Sequence, residues 1–168
     1  MKIKSFLSII LVSFQLGNAQ DLDLSLIKFR GLDFYSSREQ IEAKLGAPDR
    51  VYEPNYDCGG LSAYWQDQPF YSLVYEDSKF TGNDTLGYLI EEIHFSKENE
   101  HEFRYRDYLL DHKTGREKCM RIFKREFFEK IIGVGVEEVL IISPGNEEGL
   151  KVGFRDGKLI KITYWTSC

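Results

Sequence analysis

Proline, histidine and cysteine are all scarce in this chain: four, three and three residues of 168. Few prolines among 24 aromatic residues (12 Phe, 10 Tyr, 2 Trp) argue against a disordered polymer and for a packed core. No Cys-x-x-Cys occurs, and no two of His94, His101 and His112 stand four apart, so the usual zinc spacings are missing. There is no Gly-x-Ser-x-Gly elbow. Gly133-Val134-Gly135 lacks the third glycine of a dinucleotide loop and reads as a turn. No nucleophile and base can be paired from residue order, so no catalytic residue is assigned, and neither a metal nor a cofactor is expected.

Basic charge is also in short supply. Lys and Arg number 22 against 27 Asp and Glu, a formal net charge of −5. Such a chain lacks the basic footprint that phosphate backbones require, which sets nucleic acid aside as a partner. Beyond the first residues no apolar run is long enough to cross a bilayer, so stable membrane insertion is not expected.

The one long apolar run is N-terminal. Lys2 and Lys4 precede Phe6 to Phe14, and Gly17-Asn18-Ala19 follow. A positive start, a short apolar stretch and small residues read as a signal peptide over 1–19, cleaved after Ala19. Export to the periplasm or the exterior follows. No cysteine stands at the cleavage site, so a lipid anchor is not expected. Without two lysines and no acids, the remainder carries 20 basic against 27 acidic residues. In an oxidising compartment three cysteines leave one over. Cys119 falls on an apolar helix position, where a free cysteine behaves as a small buried hydrophobe. Cys58 and Cys168 are then the expected disulfide; three free thiols are the alternative.

What the chain does have is a repetition. Leu32 to Glu39 is echoed, 78 residues on, by Leu110 to Glu117. Within one residue of the same spacing, Tyr75-Glu76-Asp77 meets Phe154-Arg155-Asp156. A fixed internal period dictates architecture before any single motif does. Ser36-Ser37-Arg38-Glu39 reads as a capping box opening a helix of about ten residues. Gly46 and Pro48 stop that helix. Leu61 to Gln66, Phe70 to Asp77 and Leu86 to Ser96 read as strands, and Lys79 to Thr85 as a hairpin turn. In the second copy Thr114-Gly115-Arg116-Glu117 repeats the cap, and its helix is expected to run on through Phe127 and Phe128. Val136 to Ser143, Leu150 to Phe154 and Leu159 to Trp165 are strands, with Asp156-Gly157 as a tight hairpin. The fold class expected is α+β: two tandem helix-plus-antiparallel-meander units, 20–100 and 101–168, with helices on one face of the sheet. One continuous domain is also compatible with that pattern.

Ser37-Arg38-Glu39-Gln40-Ile41, then Leu45-Gly46-Ala47-Pro48, then a three-stranded meander resembles the outer-membrane-assembly small lipoprotein family. The doubled layout is similar to the β-lactamase-inhibitor protein fold. The resemblance implies tandem helix-plus-sheet units aligned into one concave sheet, and it speaks to fold more than function. The lipoprotein family carries an anchoring cysteine after its signal; this chain has none. The inhibitor's disulfides lie within its units, whereas Cys58 and Cys168 would join different ones.

The remaining signals are polar pairs and aromatics. His94 and Glu92 share a strand face and read as a surface pair. Glu98-Asn99-Glu100-His101-Glu102 reads as a solvated linker. In the last hairpin Val152, Phe154, Ile160, Ile162 and Tyr164 fit one face, and Lys161, Thr163 and Trp165 the other. Tyr64 or Trp65 is expected beside them. An exposed tryptophan among polar residues has the makings of a binding hot spot; the same residue as edge core is the equal alternative. The function expected is an exported, non-catalytic module for a protein partner, one version being an inhibitor of a secreted enzyme. The rivals are a structural accessory in envelope assembly and a small hydrolase with an acidic cleft.

Overall fold

A computed structural model of the chain describes residues 22–55, 68–98, 102–123, 137–143 and 145–167, with 128–132 described by their backbone. The expected signal peptide, the expected strand Leu61 to Gln66, Cys58, Tyr64, Trp65 and Cys168 lie outside the described residues, and so does the expected disulfide.

The chain enters through a 3-10 turn, Leu24–Leu26, and three short strands: β1 (Ile27–Phe29), β2 (Leu32–Asp33) and β3 (Tyr35–Ser36). Helix α1 (Arg38–Leu45) leads to β4 (Arg50–Tyr52), β5 (Tyr71–Val74), β6 (Ser78–Asn83) and β7 (Gly87–His94). A small hairpin follows, β8 (Phe103–Tyr105) and β9 (Tyr108–Leu110). After α2 (Arg116–Ile122) come β10 (Phe128–Ile132), β11 (Glu137–Ile142), β12 (Glu148–Arg155) and β13 (Lys158–Thr166). All described strand pairs are antiparallel.

The strands form a nine-stranded sheet, ordered β10-β11-β12-β13-β7-β6-β5-β4 with β3 also paired to β7, and a four-stranded sheet ordered β2-β1-β8-β9. This corrects the expected α+β layout of two helix-plus-meander units. The molecule is mostly antiparallel sheet, with two short α-helices among the described residues. The helices span eight and seven residues and each fully buries a single side chain, Ile41 and Cys119. That is too little apolar surface to cover a broad sheet. The second sheet contributes to the same core: Phe29 on β1 meets Phe80 on β6 at 6.3 Å between ring centroids, and Phe103 on β8 meets Phe95 at 6.2 Å. The β1–β8 pairing also ties Ile27, Lys28 and Phe29 to Tyr105, Arg104 and Phe103, across the expected seam.

Several local expectations shift. The cap of α1 is Ser37, not Ser36: its hydroxyl accepts from Gln40 N, and the Gln40 side chain accepts from Ser37 N. Gly46 ends the helix at φ 86°, in the region that glycine tolerates best. At α2 the capping box does not form. Gly115 is the N-cap and has no side chain to offer, while the Thr114 hydroxyl is spent on Asp111. That helix ends at Ile122, and Phe128 begins a strand. Lys79 to Thr85 is mostly strand β6, not turn. The turn sits at its end, where Asn83 Oδ1 accepts from Thr85 N and Leu86 N, an Asx turn. Asp156-Gly157 closes β12 to β13 with both residues at positive φ, as a type I′ hairpin requires. A bulge at Gly153/Phe154 pairs Phe154 with Leu159, so Leu159 is fully buried and Ile160 only half-buried.

Candidate functional site

Strand β13 lies in the middle of the large sheet, between β12 and β7. The register runs one unbroken row across eight strands: Arg50, Val74, Lys79, Glu92, Thr163, Lys151, Leu140 and Glu129. The next row on the same face pairs Glu138 with Gly153, Gly153 with Lys161, and Lys161 with His94.

A β-bulge concentrates charge on these rows. Lys79 faces Glu92 and Phe80 faces Ile90, leaving Glu91 as the extra residue of β7. A bulge re-aims side chains. Glu91 and Glu92, adjacent in sequence, can therefore both reach groups on the Lys79 side of the sheet. Glu91 contacts Lys79 Nζ at 2.6 Å and accepts from the Thr81 hydroxyl, which lies 2.9 Å from that of Ser72. Glu92 lies 2.6 Å from His94 Nε2 and 3.7 Å from Lys161 Nζ, and it accepts from Thr163 Oγ1 at 3.4 Å. Lys161 also lies 3.8 Å from Glu138.

The electrostatics follow from these contacts. The hydrogen bond with His94 is the largest cause holding Glu92 down, to about 2; burial opposes it, and the charges of His94, Lys161 and Lys79 add to it. Burial disfavours the charge on Lys79, but the hydrogen bond and attraction of Glu91 outweigh it and its pKa is raised. The surface therefore keeps paired charges of both signs at neutral pH.

These groups are poorly placed for hydrolysis. Ser72 and Thr81 are fully buried, so their hydroxyls are closed to a substrate even though a carboxylate accompanies them. Burial also pushes the Cys119 thiol up to about 12, which keeps it protonated and inert. Among the described residues no cluster of three or more His, Cys, Asp or Glu is arranged to hold a metal ion. Nor is any described helix long and apolar enough to cross a membrane.

Of the residues singled out in the sequence, Lys161 and Thr163 both meet Glu92. Trp165 stands further along β13, half-buried, opposite Gly149. Gly149 admits no side chain: a Cβ there would overlap the Ile141 carbonyl oxygen. Sequence reasoning missed Lys79, Glu91 and Glu138, because only bulge and register bring them to this row. It also missed a cleft of about 470 Å³ between the 22–26 segment, Tyr35, Arg106, Asn146 and Glu148. Tyr35, exposed in the structure, lines that cleft.

No family model, curated protein or solved structure matches the chain.

Proposed function

We propose that this chain is an exported, non-catalytic module that binds a protein partner through the face of the large sheet carrying Lys161, Thr163 and Trp165. The observation that carries this reading is the contact set around Glu92. His94, Lys161 and Thr163 hold one partly exposed carboxylate in a fixed geometry on a central strand. Charges already ordered before binding cost little entropy to use, and charges of both signs give partner specificity more than raw affinity. Trp165, two residues along the same strand, supplies apolar area at the edge of the row. An inhibitor of a secreted enzyme is one form this function takes.

The test is capture of partners by the immobilised mature chain from its own envelope and secreted fractions. Trp165→Ala and the charge reversal Lys161→Glu should each weaken capture of the same protein. Undiminished capture by both folded variants would remove this face from the function.

A further inference from the structure

Strand β9 ends the order of the small sheet, β2-β1-β8-β9, away from the proposed docking face on the large one. Helix α2 lies beside it: Lys118 Nζ donates to Leu109 O at 3.3 Å. The helix is anchored by its apolar side. Cys119 and Phe123, four apart, are buried, and the Phe123 ring meets Tyr105 of β8 at 4.8 Å between centroids. Lys118, Arg121 and Ile122 are spaced three and four apart, so they share the adjoining side of the helix.

With Tyr108 of β9 these three residues line a groove of about 360 Å³, room enough for a small organic molecule. Tyr108 is 50% exposed and Ile122 half-buried. The groove thus presents a phenol ring and a branched aliphatic side chain beside two cations.

The charge at the groove has one sign among the described residues that line it. Lys118 and Arg121 stand three apart on the helix, a like-charge spacing that costs a helix stability. Lys118 spends one of its three donors on Leu109 O. Arg121 is exposed and makes no ion pair with a described residue. The acids close by in sequence do not line the groove. Glu117 contacts Arg116 at 3.6 Å. Asp111 feels the charge of Lys118, but its Oδ1 accepts from Lys113 N and Thr114 Oγ1, both at 2.9 Å. Asp107, in the β8–β9 turn, is exposed to solvent.

Two cations beside an apolar surface select an anion with an apolar part. A guanidinium matches a carboxylate through its planar fork, and an ammonium adds a point charge. The whole chain carries 27 acidic against 22 basic residues, and that excess repels a dianion more than a monoanion. A carboxylate therefore suits the groove better than a phosphate.

We infer that this groove binds a small monocarboxylate bearing a ring-sized apolar group, with the carboxylate at Lys118 and Arg121 and the ring against Tyr108 and Ile122. Phenylpropanoate is the probe, compared with phenylpropanol and phenylpropylammonium by NMR titration of the full mature chain. Phenylpropanoate should shift the amides of Tyr108, Lys118, Arg121 and Ile122, and bind at least about tenfold more tightly than either analogue. Lys118→Gln combined with Arg121→Gln should weaken phenylpropanoate by at least about tenfold and leave the weak phenylpropanol binding unchanged. Tyr108→Ala, which removes apolar area and no charge, should weaken acid and alcohol alike. Equal binding of the ammonium, shifts confined to other parts of the molecule, or full affinity in the double variant would overturn the inference. The three-ligand comparison on the unaltered chain decides the matter even if a variant fails to fold.

Discussion

His94 Nε2 and Glu92 Oε1 lie 2.6 Å apart on strand β7, two residues from one another on the same face. The contact is the largest cause holding the Glu92 carboxyl down, and the charges of His94, Lys161 and Lys79 add to it against the cost of burial.

Acid should therefore unfold the protein partly through this residue. Glu92 has a folded value of about 2 against an ordinary 4.5, so the unfolded chain takes up the proton first. The stabilisation is fully present above about pH 4.5 and is lost as pH falls toward 2. Glu92→Gln should be less stable than the parent at pH 7, and the gap should close across that window. Urea melts at half-unit pH steps measure it; parallel curves for the two proteins would refute the assignment.

The neighbouring pair should behave as a buried one. Glu91 is almost wholly buried and Lys79 largely so. Lys79→Met removes the ammonium beside Glu91 and should cost about 1–3 kcal/mol, somewhat below the loss for a fully buried pair. Replacing both, as Lys79→Met with Glu91→Leu, should recover most of that loss. A double-mutant cycle in urea reads the coupling.

The two helix caps should respond in opposite ways. Ser37→Ala removes a formed capping box and should cost about 1 kcal/mol. Gly115→Ser supplies a cap where none exists, at an extended backbone with φ −81° where a Cβ would meet only the Gly157 carbonyl oxygen, in ordinary van der Waals contact at 3.8 Å. It should stabilise by a few tenths of a kcal/mol. Thermal melts of the two variants check both signs.

Cys119 should resist modification in the native state. Its thiol is fully buried, with a pKa pushed up to about 12. Alkylation at pH 8 followed by peptide mass mapping should find Cys119 unlabelled until denaturant is added. Labelling of the native protein within minutes would show that the α2 face opens.

The His94–Glu92 pair was legible because alternation in a strand is a local rule. The same holds for the α1 stop at Gly46 and the Asp156-Gly157 hairpin, where a few adjacent residues dictate φ and ψ. The cap of α1 was found one residue early, since Ser36 and Ser37 offer the same hydroxyl and only the helix start selects between them. Strand β6 was read as a turn because Gly82-Asn83-Asp84 carries strong turn chemistry; its partners β5 and β7 override that preference. The four-stranded sheet was not legible at all. Its strands are two or three residues long, too short for a period to show.

Local residue patterns were enough for the capped first helix and the final hairpin, whose hydrogen bonds close within a few residues, and the apolar helix stripe was enough for the buried position of Cys119. What those elements face came from long-range pairing. Thr163 meets Glu92 across 71 residues, Leu22 meets Ser143 across 121, and Glu91 reaches Lys79 through a bulge that no pattern announces. Pairing over such distances depends on which edges are free and which faces remain to be buried, and those are properties of the assembled sheets.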